Sequence, residues 1–253
     1  MNYDESQQIW LGLVLASLMF GVALELRLSH FLYVLRRPLP VFTGLLAQCL
    51  LLPWATLVAT LFLDLKPGIE LGLLLVACCP GGNLSNVITH LARGNTALSV
   101  SVTSISSLLA IITLPFNFAL TASLNPDTAA FLSSQMSQLQ VDAGGIVQGL
   151  LLMLVLPLLA GMLLGNLLPR LTARILPGFK RFTMIAFIGF LLVAVIGNRH
   201  VLLDSLGSLL LIVVLHNACA LLLGWGSARL SGLGDFDRRA LTIEVGMQNS
   251  GLA

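Results

Sequence analysis

Residues 78–90 read CCPGGNLSNVITH and residues 244–251 read EVGMQNSG. Each stretch sets glycines, amides and hydroxyls into a run that is otherwise apolar. Pro80 lacks a backbone donor, and Gly81 and Gly82 admit unusual dihedrals, so a helix over them is expected to break. A break frees carbonyls that can bind a cation and creates a half-helix N-terminus that can face an anion. The plainer reading of one such stretch is a proline kink that helps helices pack. Between the two stretches, Ser99, Thr103 and Ser106 or Ser107 recur at spacings of three and four, hence on one helical face. Such hydroxyls either bridge helices, at about 1 kcal/mol each, or turn their oxygens toward an ion. With Ser85, Asn86 and Glu244 they form a hard-oxygen set without thiol or imidazole. That chemistry suits an alkali cation and not zinc or copper.

Glu244 carries the most weight. With Glu70 read as the end of the connection DLKPGIE, and apart from Glu25 beside Arg27 at a helix end, it is the only carboxylate expected inside a span. An ionisable residue there is costly and functional by default. Arg239, five residues earlier and so about 7–8 Å along a helix, is the alternative partner. Gln48 is a further polar side chain in an uncharged run. Cys49, Cys78, Cys79 and Cys219 lie in apolar runs without CxxC spacing and read as small buried packing residues. His216 reads as a hydrogen-bonded packing residue and His90 as a helix-end residue. No Ser–Lys, Ser–His or carboxylate pair, and no HExxH, falls within the spans, which argues against an intramembrane enzyme.

These residues need elements to hold them. The chain is 57% apolar and 9% charged, where a soluble domain carries about a quarter charged residues. An all-α integral membrane protein is expected. At about 20 apolar residues per span, eight spans emerge: roughly 9–26, 41–63, 70–91, 97–120, 144–168, 182–198, 205–228 and 240–253. The start MNYDESQQIW carries acids where a cleavable signal would be basic. The last span stops short at Ala253, so the C-terminal end reads as truncated, with at least one further helix expected. With alternate connections on opposite sides, one side collects all 13 Lys and Arg except Lys66 and Arg199. By the positive-inside rule the N-terminus lies outside.

The two polar interruptions are then five spans apart, and an odd separation sets their helices antiparallel. That is the pattern of an inverted repeat with one discontinuous helix in each half, here about 1–125 and 140–253. Unwound backbone at membrane depth is tolerated only against protein or a polar cavity, so the breaks mark such a place.

At this point CCPGGNLSNVITHLARGNTALSVSVTS and LTIEVGMQNSGLA resemble the two signature regions of the bile acid:sodium symporter family, and VVLHNACALLLG resembles the helix before the second. The resemblance runs in order along almost the whole chain. It implies a transporter of two inverted repeats with two discontinuous crossing helices, arranged as panel and core domains. It implies a first sodium site at Ser85, Asn86, Ser99, Thr103 and Glu244. A second would use Gln48, the Glu244 and Gln248 side chains and the carbonyls of Val245 and Met247. Asn83 and Asn249 would face the substrate. The first helix of bacterial members has no counterpart here, nor does the last helix.

The expectation is a sodium-coupled secondary active symporter importing an organic anion, bile-acid-like or a small carboxylate, by alternating access in the cell (inner) membrane. Sodium, the anion and membrane lipid are the expected partners, with no nucleic acid. The alternatives are a cation/proton antiporter using Glu244 and a non-transporting membrane scaffold or receptor.

Overall fold

The computed structural model describes residues 13–24 except 15, 18 and 22, together with 33–63, 65–139, 143–197 and 199–249. Among these residues there is no β-strand, and the order is α1 Pro38–Leu46, a π-helical turn Ala47–Leu51, α2 Leu52–Phe62, α3 Pro67–Cys78, α4 Asn83–Leu91, α5 Thr96–Leu124, α6 Pro126–Leu139, α7 Ala143–Leu167, α8 Pro169–Gly197, α9 Arg199–Leu230 and α10 Asp235–Gly246. Pro38, Pro67, Pro126 and Pro169 each open a helix, where a missing N–H removes a bond the helix does not make. The stretches Pro38–Phe62, Thr96–Leu124 and Leu209–Leu230 are long and apolar enough to cross a membrane.

The chain divides into two compact units. The first comprises Met1–Arg27 and Leu152–Val214, with Leu252. In it Phe20 meets Phe179 edge-on at 5.4 Å. A Cβ on Gly161 would lie 2.7 Å from the Phe20 carbonyl, so glycine lets these backbones approach. The second unit comprises Leu28–Leu151 and Leu215–Gly251, with Ala253. Its apolar core joins Val41 of α1, Leu98 and Val102 of α5 and Leu241 of α10. A second cluster joins Ala47, Leu52, Ala77, Ala220 and Val245. A Cβ on Gly224 of α9 would meet the Leu241 carbonyl at 2.5 Å, so α9 and α10 pack with only glycine between them.

The third span divides into α3 and α4, with Cys79–Gly82 unwound between them, the break expected at Pro80, Gly81 and Gly82. Other sequence expectations change. The polar connection after Asn125 folds into α6. The connection RLTARILPGFKR and the span after it form one helix, α8. At 100° per residue Arg170, Arg174 and Arg181 fall on one stripe, so the charges do not interrupt the helix. Glu70 is not in a connection: it lies in the first turn of α3 and is 1% exposed. Asn125 Nδ2 donates to its Oε2 at 3.0 Å and reaches Thr60 Oγ1 at 3.3 Å. Cys78 and Cys79 are buried and Cys49 half-buried, but Cys219 is exposed because it shares the open face of α9 with Leu215 and Leu222. Half of the expected first span, and Ser250 to Ala253 of the last, lie outside the described residues.

Candidate functional site

The two interruptions meet. Gly82 N–H donates to the Met247 carbonyl at 3.0 Å, and Asn249 N–H donates to the Pro80 carbonyl at 2.9 Å. This is an isolated antiparallel bridge between Gly81 and Gln248. Each break therefore supplies backbone partners that the other lost on unwinding, as backbone deep in an apolar protein requires. Ser106 Oγ accepts from Gly81 N–H at 3.4 Å. Asn217 of α9 donates Nδ2 to the carbonyl of Gly246, the last residue of α10, at 2.5 Å.

Beside this bridge, Glu244 is fully buried at 0% exposure. Ser85 Oγ of α4 donates to its Oε2 at 2.6 Å, and Ser99 Oγ of α5 lies 2.6 Å from the same oxygen. Thr103 Oγ1, one turn on, lies 2.5 Å from Oε1. Asn86 Oδ1 is 2.8 Å from Ser99 Oγ and 3.2 Å from Thr103 Oγ1. Ser99 and Thr103 thus each face two side-chain acceptors with one proton apiece, so neither fully satisfies both at once. Arg239 lines a separate cavity with Trp225, and no Lys or Arg pairs with Glu244 among the described residues. The arginine-paired reading of Glu244 is therefore corrected: Arg239 points elsewhere.

Gly81 is the close neighbour of both candidate ion positions. A Cβ there would fall 2.1 Å from Glu244 Oε1 and 3.1 Å from Gln48 Nε2, so no side chain fits. Gln48 Nε2 donates to Gln248 Oε1 at 3.3 Å, and Gln248 Nε2 to the Val245 carbonyl at 2.7 Å. Gln48 Oε1 is buried without a hydrogen-bond partner. The Met247 carbonyl is shared with Gly82 N–H. Asn249 is half-buried in the unwound segment after α10, and Asn83 is the first residue of α4, whose N-cap Gly82 offers no side-chain bond. All the candidate residues except Asn83, whose side chain is not among those described, are thereby located around one carboxylate and one backbone bridge.

Gln48 stands on a π-helical turn, and the cause lies downstream. Pro53 has no N–H to give the carbonyl of Cys49 four residues earlier, and its ring crowds that carbonyl. The helix widens, with Leu52 N–H bonding back to Ala47, and Asn117 Nδ2 of α5 donates to the Cys49 carbonyl at 2.6 Å. Sequence reasoning missed Asn117 and Asn217. Each is an amide in an apolar run, the same signal that singled out Gln48. His216 Nε2 lies 2.9 Å from Thr56 Oγ1, the hydrogen-bonded packing role expected of it.

Among the described residues no group of three or more His, Cys, Asp or Glu could hold a metal ion. The oxygen-only set around Glu244 matches a hard monovalent cation in donor type. A structure nearly all helical among the described residues, with apolar, membrane-length helices and two bridged unwound segments around a buried carboxylate, defines a membrane protein of the transporter class. The comparisons make that particular. Residues 12–205 match the sodium bile acid symporter family, and the chain belongs to that family. It is 35% identical over 244 residues to the uncharacterized sodium-dependent transporter YocS of Bacillus subtilis, covering 96% of this chain and 71% of that protein. It is 33% identical over 261 residues to the probable chloroplastic sodium/metabolite cotransporter BASS2 of Oryza sativa subsp. japonica, covering 99% of this chain and 58% of that one. The human ileal sodium/bile acid cotransporter is 28% identical over 252 residues, covering 96% of this chain and 67% of its own. The chain thus spans between about three-fifths and seven-tenths of the length of these relatives. They are transporters and not enzymes, and this chain belongs with them.

Proposed function

We propose that the protein is a sodium-coupled symporter that imports an organic anion by alternating access. The observation that carries this reading is the environment of Glu244. Ionising a carboxylate at 0% exposure, held by three hydroxyls, is costly without a compensating positive charge. Sodium, as co-substrate, would supply it from a position among Ser85, Asn86, Ser99, Thr103 and Glu244. The unpartnered Gln48 Oε1 supports a second position with Glu244, Gln248 and the carbonyls of Val245 and Met247. On this reading the halves 1–125 and 140–253 are inverted repeats whose discontinuous helices cross. The unit that holds both breaks is the core, and the other is the panel. Both lie in the cell (inner) membrane with the N-terminus outside. The topology is tested by single cysteines. Those near Asn125 should react with an impermeant thiol reagent from outside and those near Arg174 should not; the reverse pattern would overturn it.

The anion would lie at the half-helix ends beside Asn83 and Asn249, held by backbone N–H groups and amides. Sodium nearby orders the unwound backbone and adds favourable charge, so sodium and anion bind with positive coupling, and reciprocity requires the same factor in both directions. Calorimetric titration of a candidate anion into the full-length protein in sodium and in choline buffer tests this. Tighter binding in sodium is expected, and equal affinity contradicts symport. Uptake that follows a proton gradient and ignores sodium would replace this reading with the antiporter.

A further inference from the structure

The membrane-length stretch Leu209–Leu230 of α9 is largely uncovered, with 11% of its apolar window buried. Near its end the Arg229 guanidinium sits over the Trp225 ring, 5.0 Å from its centroid. A cavity of about 350 Å³ lies between Trp225 and the first turns of α10, lined there by Asp235, Arg238, Arg239 and Thr242. Arg238 is engaged by Asp235. Arg229 and Arg239 have no acidic partner among the described residues. One guanidinium without an acidic partner, that of Arg239, therefore lines the cavity where an apolar span ends, and Arg229 stands over Trp225, which lines it too. Leu222 and Leu230 of α9 and Phe236 of α10 are exposed, at 64%, 91% and 55%.

We propose that this cavity is a binding site for the headgroup of an anionic phospholipid. Guanidinium groups match phosphate oxygens bidentately. A tryptophan with one apolar and one polar edge belongs at headgroup depth. Basic cavities between helices at the membrane boundary hold anionic headgroups by the same combination of charge and shape. The exposed Leu222, Leu230 and Phe236 would carry the acyl chains, and this apolar seat selects a lipid over a free phosphate. The site is separate from Glu244 and its assignment does not rest on transport.

The test uses the whole chain in nanodiscs of phosphatidylcholine with and without phosphatidylglycerol. Phosphatidylglycerol should raise the melting temperature, and Arg229→Gln with Arg239→Gln should lose most of that rise, while Arg174→Gln should keep it. A photoactivatable phosphatidylglycerol should label peptides of the unsubstituted chain between Leu222 and Ile243, which holds the proposal to account even if the double variant fails to fold. Label spread evenly along the helices would overturn it. So would a rise unchanged in a folded double variant, or one matched by glycerol phosphate added to phosphatidylcholine discs.

Discussion

Asp237 and Glu244 are two carboxylates on α10, two turns apart and both buried, and they are held in different ways. Asp237 has its cation beside it: Arg37 Nη2 reaches Oδ2 at 2.9 Å, and Asn95 Nδ2 reaches Oδ1 at 2.6 Å. Asn95 also reaches Tyr33 at 3.0 Å and caps α5 by accepting from Leu98 N–H at 3.1 Å. That network ties the start of α1 to the starts of α5 and α10, and its charges balance. Glu244 has three hydroxyls and no cation. A closed ion pair is a structural device; an open one in an apolar surrounding is a place for a mobile ion. On the proposed function, the difference separates what holds the helices from where a coupling ion would bind.

Neutralising each carboxylate in turn tests whether the two differ in role. Glu244→Gln in the full-length protein should bring sodium-dependent anion uptake to background, a loss of about 100-fold or more, since about 2.7 kcal/mol of lost ion binding suffices for it. Uptake that persists at half the parent rate would contradict the assignment. Gly81→Ala should act similarly, because its methyl would occupy the carboxylate's place. Asp237→Ala should instead lower stability by about 1–3 kcal/mol in denaturant unfolding, the lower part of that range reflecting the half-exposed Arg37. The folded fraction should keep its sodium affinity, and a sodium affinity that fell with Asp237→Ala would erase the distinction.

Smaller effects test the supports around the breaks. Asn117→Leu leaves the Cys49 carbonyl without its donor and should cost about 1–3 kcal/mol of stability. It should also weaken sodium binding through Gln48, which stands on the same turn. Ser99→Ala or Thr103→Ala removes one oxygen of several and should raise the sodium concentration for half-saturation a few-fold, about 1 kcal/mol. Thr113→Ala, an exposed hydroxyl on the same helix, should leave it unchanged.

These residues also mark what the sequence could and could not disclose. Pro80, Gly81 and Gly82 announce a break because their effect on a helix is local and strong. Ser99 and Thr103 announce a face because helical periodicity is local too. The bridge between Gly81 and Gln248 is not legible, since it joins segments more than 160 residues apart and depends on the packing of whole helices. The continuous helix α8 was hidden because its arginines looked like a connection until placed on one stripe. Glu70 was hidden because its burial comes from Asn125 and Thr60 on other helices. The π-helical turn at Gln48 had a signal, Pro53 four residues beyond Cys49, but the donor that completes it, Asn117, is known only from tertiary structure.

The proposed function rests on sodium binding beside Glu244. Isothermal calorimetry of sodium chloride into the purified protein, with choline chloride as control, measures it directly. The unsubstituted protein should give a saturable sodium isotherm that choline does not reproduce, and Glu244→Gln should abolish it while Asp237→Ala, in its folded fraction, retains it. A saturable sodium isotherm of equal affinity in Glu244→Gln would contradict the account.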